Sequence, residues 1–428
     1  MADIQPFCGY RYALDTPADL GRIIAPPYDM LGGNAIDRYY ARDPRNVVRI
    51  IQNKKEPADA GNADRHRRAA ALFEQWIRDG AIVRDAQPAL YVYRQEFIVD
   101  GSRRARTGII ARVKLVDFSE GVVLPHENTL SAPKVDRMQH MQAINANTEQ
   151  IFGIVQDGGD LYPAIADAAQ RAEALGECID EFGVTHRLMR LSDANIITKL
   201  QQIIAPRAIL IADGHHRYET ALAYAREKGA PAAAFVMMTM VSMTDPGLVI
   251  RPFHRMVRAQ PGMATPAREL VARLFTILRE EPASADAARG FVQSPEDGSL
   301  LFLDAATARL YRLTPNPAGE AALKRESALS DAWNHLNVSM VNLLFVKTLL
   351  DLPLNGETLH DQIAYEQDAA TVINTVAGSG DFTGAFFLRP VTIQTIRAIV
   401  AAGERMPQKS TNFFPKIWSG LVFNRLEP

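Results

Sequence analysis

AILIADGHHRYETALAYAREKG, residues 208–229, joins an apolar run to a short polar turn and then to a helical pattern. The run AILI leads directly into Asp213 and Gly214, and the helical pattern begins within a few residues. A helix N-terminus that follows a strand presents backbone N–H groups and a partial positive charge, and the two together bind anions. The stretch therefore predicts a strand, a turn and a helix, with an anion site at the turn.

The side chains of this turn suit phosphate chemistry. Gly214 lets the backbone approach a ligand closely. His215, His216 and Arg217 add donors, and arginine fits a phosphate through two parallel hydrogen bonds. Asp213 could hold a metal ion or accept a proton from a substrate hydroxyl. Together these residues predict a phosphoryl-transfer site.

Plainer interpretations of the same turn stay open. The aspartate can serve only as an N-cap, and a histidine pair can pack in a core. A zinc site is disfavoured, because adjacent histidines cannot both face one ion without an unusual backbone. The glycine-rich phosphate loops GxGxxG and GxxxxGK[ST] are absent from the sequence.

Composition indicates an ordinary globular protein. The chain has 428 residues, of which 47% are hydrophobic and 22% charged, so two or three domains are expected. The net charge of −2 gives no global basic field for nucleic acid. Two distant cysteines predict no disulfide framework. The N-terminus does not resemble a signal peptide and no apolar run is long enough to span a bilayer, so a cytoplasmic location is expected.

Strand patterns alternate with helix patterns along the chain, which predicts a mixed α/β fold. A helix is expected over 63–80 and a hairpin over 89–118 with its turn at Asp100-Gly101. NVVRII is expected to be a strand, the helix that follows residue 160 is expected to end at Gly176, and NPAGE is expected to be a surface loop. Three regions are predicted: an N-terminal α/β region with a PPYD loop, a phosphate-binding region with the DGHHR turn, and a C-terminal α/β region with a basic KST loop, at residues 1–115, 116–258 and 259–428.

IADGHHRYETAL resembles the signature turn of the ParB/sulfiredoxin-like superfamily, in which a Gly-x-x-Arg element at a helix start binds nucleotide phosphates. Its histidine-bearing form is similar to that of the free-serine kinases of that group. The whole chain also resembles the bacterial family catalogued as domain of unknown function 1015. That resemblance lies in IQPFCGYRY, IIAPPYDML, NVVRI, VVLPHENTLSAPKVDR, IADGHHRYETAL, DPGLVI and GERMPQKSTNFFPKIWSGLV.

The resemblance implies a ParB/sulfiredoxin-like α/β domain with a mixed sheet and flanking N- and C-terminal α/β regions. It also implies a kinase that phosphorylates the hydroxyl of free L-serine to give O-phosphoserine. The implied donor is ATP, ADP or pyrophosphate, with Mg²⁺ as the metal and Asp213 as its ligand. The implied partners are an amino acid and a nucleotide; no membrane or nucleic acid is expected, and a homodimer is left open.

The superfamily kinases use a glutamate upstream of the turn as general base. In this chain the resemblance assigns that role to Glu127, in LPHENTL, beside His126. A carboxylate there could take the proton of a serine hydroxyl while the bond to phosphorus forms. Asp29, in the proline-braced PPYD loop, is the rival base. The plainer alternative for Glu127 is a surface or N-cap glutamate.

Further residues are assigned to the substrate and to the phosphates. Lys134 and Arg137 follow Glu127 at near-helical spacing and could neutralise a phosphate or the substrate carboxylate, although such pairs are often solvated. The segment GERMPQKSTNFFPK, which also contains Arg405 and Lys416, is expected to fold back over the second region and complete the site. The assignments are catalytic Glu127, Asp213 and His215; phosphate-binding Gly214, His216, Arg217, Lys409, Ser410 and Thr411; and substrate-binding Tyr28, Asp29, Arg49, His126, Lys134 and Arg137.

Two other functions compete with the kinase. A ParB-like nucleotide-dependent DNA-binding or regulatory protein shares the turn, but no basic recognition helix is evident. Redox repair of the sulfiredoxin kind needs a cysteine at the turn, and Cys8 and Cys178 lie elsewhere.

Overall fold

The computed structural model describes residues 1–129, 131–259, 267–354, 359 and 361–426. The chain forms two compact units. The first comprises Met1–Pro125, Thr129–Val249 and Phe413–Pro428, and the second comprises His126–Asn128 and Ile250–Asn412. Sequence regions 1–115 and 116–258 thus fall almost entirely in the first unit. Among the described helices, none is long and apolar enough to cross a membrane.

The first unit is built on a nine-stranded sheet. Its strand order is β6-β11-β8-β12-β5-β4-β10-β9, with β1 paired to β5. β11 runs parallel to β6 and antiparallel to β8, and β8 runs parallel to β12. The sheet is therefore mixed, which confirms the predicted fold class. The strands of this unit are β1 (Ile4–Gln5), β2 (Tyr10–Tyr12), β3 (Ile82–Arg84), β4 (Leu90–Val99), β5 (Ser102–Lys114), β6 (Val123–Leu124), β7 (Ala146–Asn147), β8 (Ile151–Val155), β9 (Glu173–Ile179), β10 (Thr185–Leu191), β11 (Ile209–Asp213) and β12 (Phe235–Ser242), and β21 (Asn424–Arg425) comes near the end of the chain.

Helices pack against this sheet and share its core. Apolar residues of three of them, among them Leu161, Ile196 and Tyr218, belong to the same buried cluster as strand residues such as Ile109 and Ile211. Burial of these apolar faces is the main stabilising contribution to the unit. The helices are α1 (Leu20–Ile23), α2 (Asn34–Arg42), α3 (Val48–Ile51), α4 (Asn62–Arg78), α5 (Ser131–Ile144), α6 (Leu161–Arg171), α7 (Ala194–Ile204) and α8 (His215–Lys228), with 3₁₀ turns at Pro17–Asp19, Tyr28–Met30, Phe118–Glu120 and Pro231–Ala234.

Local sequence signals account for several of these elements. The predicted hairpin is confirmed as β4 and β5, joined by Asp100 and Gly101 with φ angles of 49° and 71°. Two positive φ values are what a two-residue hairpin turn requires. Helix α7 begins where predicted, because the carboxylate of Asp193 accepts hydrogen bonds from the N–H groups of Asn195 and Ile196.

Three local predictions were wrong. NVVRII holds the short helix α3, because the side-chain oxygen of Asn46 accepts the Val48 N–H and starts a helical turn instead of a strand. Gly176 does not end α6 but lies in β9, where a side chain would press on Leu14 and Leu20. NPAGE starts a helix at Pro317, because Asn316 caps it through the N–H of Gly319.

The second unit has a six-stranded sheet of its own, with strand order β15-β17-β16-β19-β14-β18. One face packs against two helices through residues such as Phe291 and Val372. The other face carries the aromatic cluster Phe302, Phe345 and Phe386. The remaining elements are β13 (Val249–Arg251), β14 (His254–Arg258), β15 (Phe275–Pro282), β16 (Leu300–Asp304), β17 (Arg309–Pro315), β18 (Ile363–Glu366), β19 (Phe382–Phe387), β20 (Asn412–Phe414), α9 (Ala267–Ala272), α10 (Ala285–Gln293), α11 (Pro317–Glu326), α12 (Asp331–Asn334), α13 (Asn337–Met340), the π-helical Val341–Leu349, α14 (Ala369–Ser379) and α15 (Ile393–Ala401).

A buried histidine makes this unit sensitive to acid. His254 in β14 is 1% exposed, and its Nδ1 accepts the N–H of Leu388. Burial lowers the pKa of His254 to about 4. The unfolded chain therefore takes up the proton first as the pH falls. The free energy of unfolding is unaffected by His254 above about pH 6.5 and decreases as the pH falls from there to about 4.

We expect the free energy of unfolding to drop by roughly 3 kcal/mol across this window on account of His254 alone. Denaturant unfolding at a series of pH values measures it. His254→Gln should flatten the slope in this window, whereas His335→Gln, at a half-exposed position, should not. Equal slopes in the wild type and His254→Gln would show that the ring does not titrate as described.

Candidate functional site

The turn between β11 and α8 has the predicted strand-turn-helix form. Asp213 is the last residue of β11 and His215 is the first of α8. Gly214 between them has φ 93° and ψ 29° and occupies the N-cap position of the helix, where it offers no side chain of its own as a cap. A Cβ on Gly214 would lie 3.0 Å from Nε of Arg217, in a backbone region that L-residues avoid. Glycine is therefore required by both the backbone and the arginine beside it.

Asp213 lies between two cations. Its Oδ2 accepts a hydrogen bond from Nη2 of Arg217 at 2.6 Å, and its Oδ1 contacts Nζ of Lys416. All three side chains are largely buried, at 15%, 11% and 15% exposure for Asp213, Arg217 and Lys416. Burial raises the pKa of the Asp213 carboxyl, but the charges of Lys416 and Arg217 outweigh it and hold the pKa below its usual range. The carboxylate thus stays ionised and fixes two cations at the turn.

The contacts of Asp213 do not favour the metal-ligand role that the resemblance implies for it. Both carboxylate oxygens are engaged by cations, which compete with a metal ion for the same lone pairs. In the part of the chain that the structure describes, no group of three or more His, Cys, Asp or Glu side chains is placed to hold a metal. The described residues around Asp213 therefore do not fit a protein-bound Mg²⁺ in this arrangement.

The PPYD loop is held beside the turn by the buried side chains of Glu149 and Arg137. Oε1 of Glu149 accepts the N–H of Tyr28 at 3.0 Å and the hydroxyl of Ser419 at 3.1 Å. Its other oxygen lies 3.6 Å from Nη1 of Arg137, whose guanidinium stacks 4.0 Å from the centre of the Tyr28 ring. Arg217 is close enough that the charge of Glu149 helps to raise its pKa against the opposing effect of burial.

A second group of charges surrounds His216. Nζ of Lys134 lies 3.0 Å from Oε2 of Glu219, which also accepts the hydroxyl of Thr129. Burial lowers the pKa of His216, while the charges of Glu219 and of the exposed Asp29 act to raise it. Asp29 therefore lies within electrostatic reach of the helix start. The residues of this neighbourhood form the turn cluster: Tyr28, Asp29, Lys134, Arg137, Glu149, Asp213, His216, Arg217, Glu219 and Lys416.

Two assigned residues of the first unit take other positions. His215 is buried at the start of α8, where its positive form would act on Asp213. Arg49 lies in α3, donates from Nη2 to the carbonyl of Tyr40 at 2.8 Å and stacks 4.1 Å from the centre of the Tyr40 ring. The contacts of Arg49 are thus those of a residue that holds α2 and α3 together.

The remaining assigned residues belong to the second unit and form a group of their own. Oε1 of Glu127 accepts the N–H groups of Ser410 and Thr411 at 3.2 and 3.0 Å, and the Thr411 hydroxyl at 3.0 Å. Buried His126 bonds the same hydroxyl through Nε2 at 2.8 Å. Lys409 is exposed, with a φ of 55°. The N–H groups of the KST loop are thus occupied by the Glu127 carboxylate in this structure, and the role of the loop in phosphate binding stays a prediction.

Sequence reasoning gave no role to Lys416 and overlooked Glu149 and Glu219. Lys416 was named only as part of the C-terminal segment, and its partner is 203 residues away in sequence. Glu149 left a weak signal, because it is a charged residue placed two positions before the buried strand β8. Glu219 sits one helical turn after His215 on α8, a position that gives no sign of function in the sequence.

Comparison with known proteins gives a family and distant structural likenesses. The family model described as "Protein of unknown function (DUF1015)" matches residues 4–339. No curated protein matches the sequence.

Three similar solved structures illustrate the likenesses. A free serine kinase in complex with AMP has 11% identity and a TM-score of 0.33, covering 71% of this chain and 86% of that one. A conserved hypothetical protein from Pyrococcus furiosus has 12% identity and a TM-score of 0.34, covering 73% and 95%. C-terminally truncated SbnI from Staphylococcus aureus has 12% identity and a TM-score of 0.36, covering 72% of this chain and 85% of that one. Nothing about activity follows from TM-scores of this size.

Proposed function

We propose that this chain, which belongs to the DUF1015 family of proteins of unknown function, is a small-molecule kinase that phosphorylates the hydroxyl of free L-serine. The donor is a nucleotide or pyrophosphate. The observation that carries the proposal is the turn at Gly214, where the start of helix α8 and the buried cations Arg217 and Lys416 converge. Backbone N–H groups and fixed cations of this kind are what a transferring phosphoryl group needs.

In this proposal Asp213 is a positioning residue. Its ionised carboxylate holds Arg217 and Lys416 in place, so that the two cations are oriented before the phosphates arrive. Fixed charges cost no reorganisation during the reaction, which is the usual source of electrostatic catalysis. Mg²⁺ is proposed only as the companion of the donor's phosphates, which commonly supply most of its non-water ligands.

The transfer itself needs a base. The serine Oγ forms a bond to the terminal phosphorus, the bond from that phosphorus to the donor's bridging oxygen breaks, and the hydroxyl proton passes to a carboxylate. Glu127 remains the base assigned by resemblance, although its Oε1 accepts three hydrogen bonds within the second unit. Asp29 is the stronger structural candidate, because it is exposed and its charge acts on His216 and Arg217.

The Lys134–Glu219 pair suits an amino-acid substrate. A free amino acid carries a carboxylate and an ammonium group, and these would pair with Lys134 and Glu219 in turn. The side chain of Lys134 is 38% exposed and that of Glu219 is 19% exposed, so a ligand can reach both. The pair lies in the turn cluster, close enough to His216 for both charges to act on its pKa.

The test is phosphorus NMR of the purified protein with Mg²⁺, L-serine and, in separate samples, ATP, ADP or pyrophosphate. We expect O-phosphoserine with at least one donor. Lys416→Met should lower the rate by about 100-fold if the cation stabilises the transferring group. Lys199→Met, on helix α7 and outside the turn cluster, is the matched control. Absence of phosphoserine with all three donors would reject the serine kinase.

The same assay identifies the base. If Asp29 accepts the proton, Asp29→Asn should lower the maximal rate by about 100-fold while Glu127→Gln retains most of it. The reverse result assigns the base to Glu127. A salt-dependent shift of duplex DNA by a protein that forms no phosphoserine would favour the ParB-like function instead.

A further inference from the structure

A cavity in the first unit lies outside the turn cluster and is lined in part by arginines. Its volume is about 250 Å³, and its lining includes Cys8, Tyr10, Arg84, Arg112, Asn424 and Arg425. The three arginines come from β3, β5 and β21, which are far apart in sequence. Such a convergence of like charges costs free energy unless something compensates it.

The protein itself compensates only part of this charge. Arg425 pairs with Glu74 at 3.0 Å. Among the ion pairs of the described residues, neither Arg84 nor Arg112 has a carboxylate partner. Asp85, the next residue after Arg84, is buried, and its carboxylate forms ion pairs with Arg11 and Arg190.

Arg112 is only partly satisfied. Its Nη2 reaches Gln5 at 3.3 Å, while its Nε is buried and, in the part of the chain described, has no hydrogen-bond partner. Burial lowers the pKa of Arg112, and the negative charges of an ionised Cys8 and of Asp3 act in the opposite direction. A guanidinium in this state is stabilised by an incoming anion.

We propose that this cavity is a binding site for a small anionic metabolite that carries phosphate or carboxylate groups. Arginine forks match both groups through paired hydrogen bonds. The volume suits a molecule somewhat smaller than a drug-sized ligand. Tyr10, Phe7 and Pro6 provide an apolar wall, so the ligand's carbon atoms also find contacts. The site is independent of the kinase chemistry proposed above.

Cys8 provides a direct test, because it lines the cavity. Cys178 is replaced by alanine, which leaves Cys8 as the one thiol. The protein is treated with the anionic disulfide 5,5′-dithiobis(2-nitrobenzoate) and, separately, with neutral 4,4′-dithiodipyridine. In each case the Cys8 thiolate attacks one sulfur, forms a mixed disulfide and releases the other half as a coloured thiolate or thione.

The quantity compared is the rate at which the anionic reagent modifies Cys8, divided by the rate for the neutral reagent. We expect this ratio to fall by about tenfold in Arg84→Gln and to stay constant in Arg103→Gln. Arg103 is 80% exposed on the same unit and serves as the matched control. Arg112→Gln should behave like Arg84→Gln. The exposed Arg84 keeps the test valid if the Arg112 variant does not fold. An equal ratio in Arg84→Gln and Arg103→Gln would overturn the proposal.

Protection identifies the chemistry of the ligand. Inorganic phosphate, pyrophosphate and citrate are titrated against the neutral reagent. Saturable protection by phosphate or pyrophosphate indicates a phosphorylated ligand, and protection by citrate alone indicates a polycarboxylate. Protection that does not saturate with any of the three, or that is unchanged in Arg84→Gln, would show that no anion site exists.

Discussion

Asp213→Ala should destabilise the first unit by about 3 kcal/mol, because it leaves two largely buried cations without their shared anion. In the wild type, Arg217 and Lys416 both contact this carboxylate, and each is less than one-sixth exposed. Urea unfolding measures the loss. On the kinase proposal the phosphotransfer rate should fall by about 100-fold in the same variant, because Arg217 and Lys416 lose their fixed positions.

The control is Asp167→Ala, which removes an exposed ion pair with Arg171 on α6 and should cost less than about 0.5 kcal/mol. If Asp213→Ala does not fold, the milder pair Asp213→Asn and Lys416→Met gives a double-mutant cycle. A coupling of about 1 kcal/mol or more is expected between the two sites. Additive effects would mean that the carboxylate and the ammonium do not stabilise each other.

Arg106→Met should lower the free energy of unfolding of the first unit by about 3 kcal/mol. It should also loosen the segment that places Lys416 in the turn cluster. Arg106 is 1% exposed and donates to the carbonyl of Phe414 at 3.2 Å and to that of Pro415. Burial lowers its pKa to about 10, so it stays charged at neutral pH. Gln95, which also bonds Arg106, donates to the carbonyl of Lys416. These contacts hold the backbone from which Lys416 reaches Asp213.

Arg103→Met is the matched control, because Arg103 lies on the same strand β5 but is 80% exposed. It should change the free energy of unfolding by less than about 0.5 kcal/mol. Limited proteolysis gives a second readout, since the C-terminal segment 413–426 should become cleavable in Arg106→Met and stay protected in Arg103→Met. A protected segment and unchanged stability would show that Arg106 does not anchor it.

The fold could be predicted wherever the chemistry is local. The β4–β5 hairpin follows from Asp100-Gly101, which supplies the two positive φ angles of its turn. The strand-turn-helix at 209–228 follows from an apolar run, a glycine and a helical pattern. NVVRII was mispredicted because a short apolar run fits a buried strand and a buried helix equally well. Its helical form depends on Asn46, which also donates to the carbonyls of Arg22 and Ile24.

Only part of the candidate site could be predicted from the sequence. The residues of the DGHHR turn were identified because they are adjacent in sequence and chemically unusual. The ionisation state of Asp213 could not be predicted, because its carboxylate is kept charged by Lys416, which is distant in sequence. The role of the KST loop in phosphate binding stays a prediction, and its contact with Glu127 could not be foreseen because it joins residues more than 280 positions apart.

The sequence by itself determined that this protein is a mixed α/β chain with a strand-turn-helix at Asp213 and Gly214. It did so because backbone conformation and helix starts depend on neighbouring residues. Only the tertiary structure decided which charges meet: Asp213 with Lys416, Glu149 with Arg137, and three arginines around Cys8. Electrostatic energy depends on distance in space and on burial, and neither quantity is encoded by spacing along the chain.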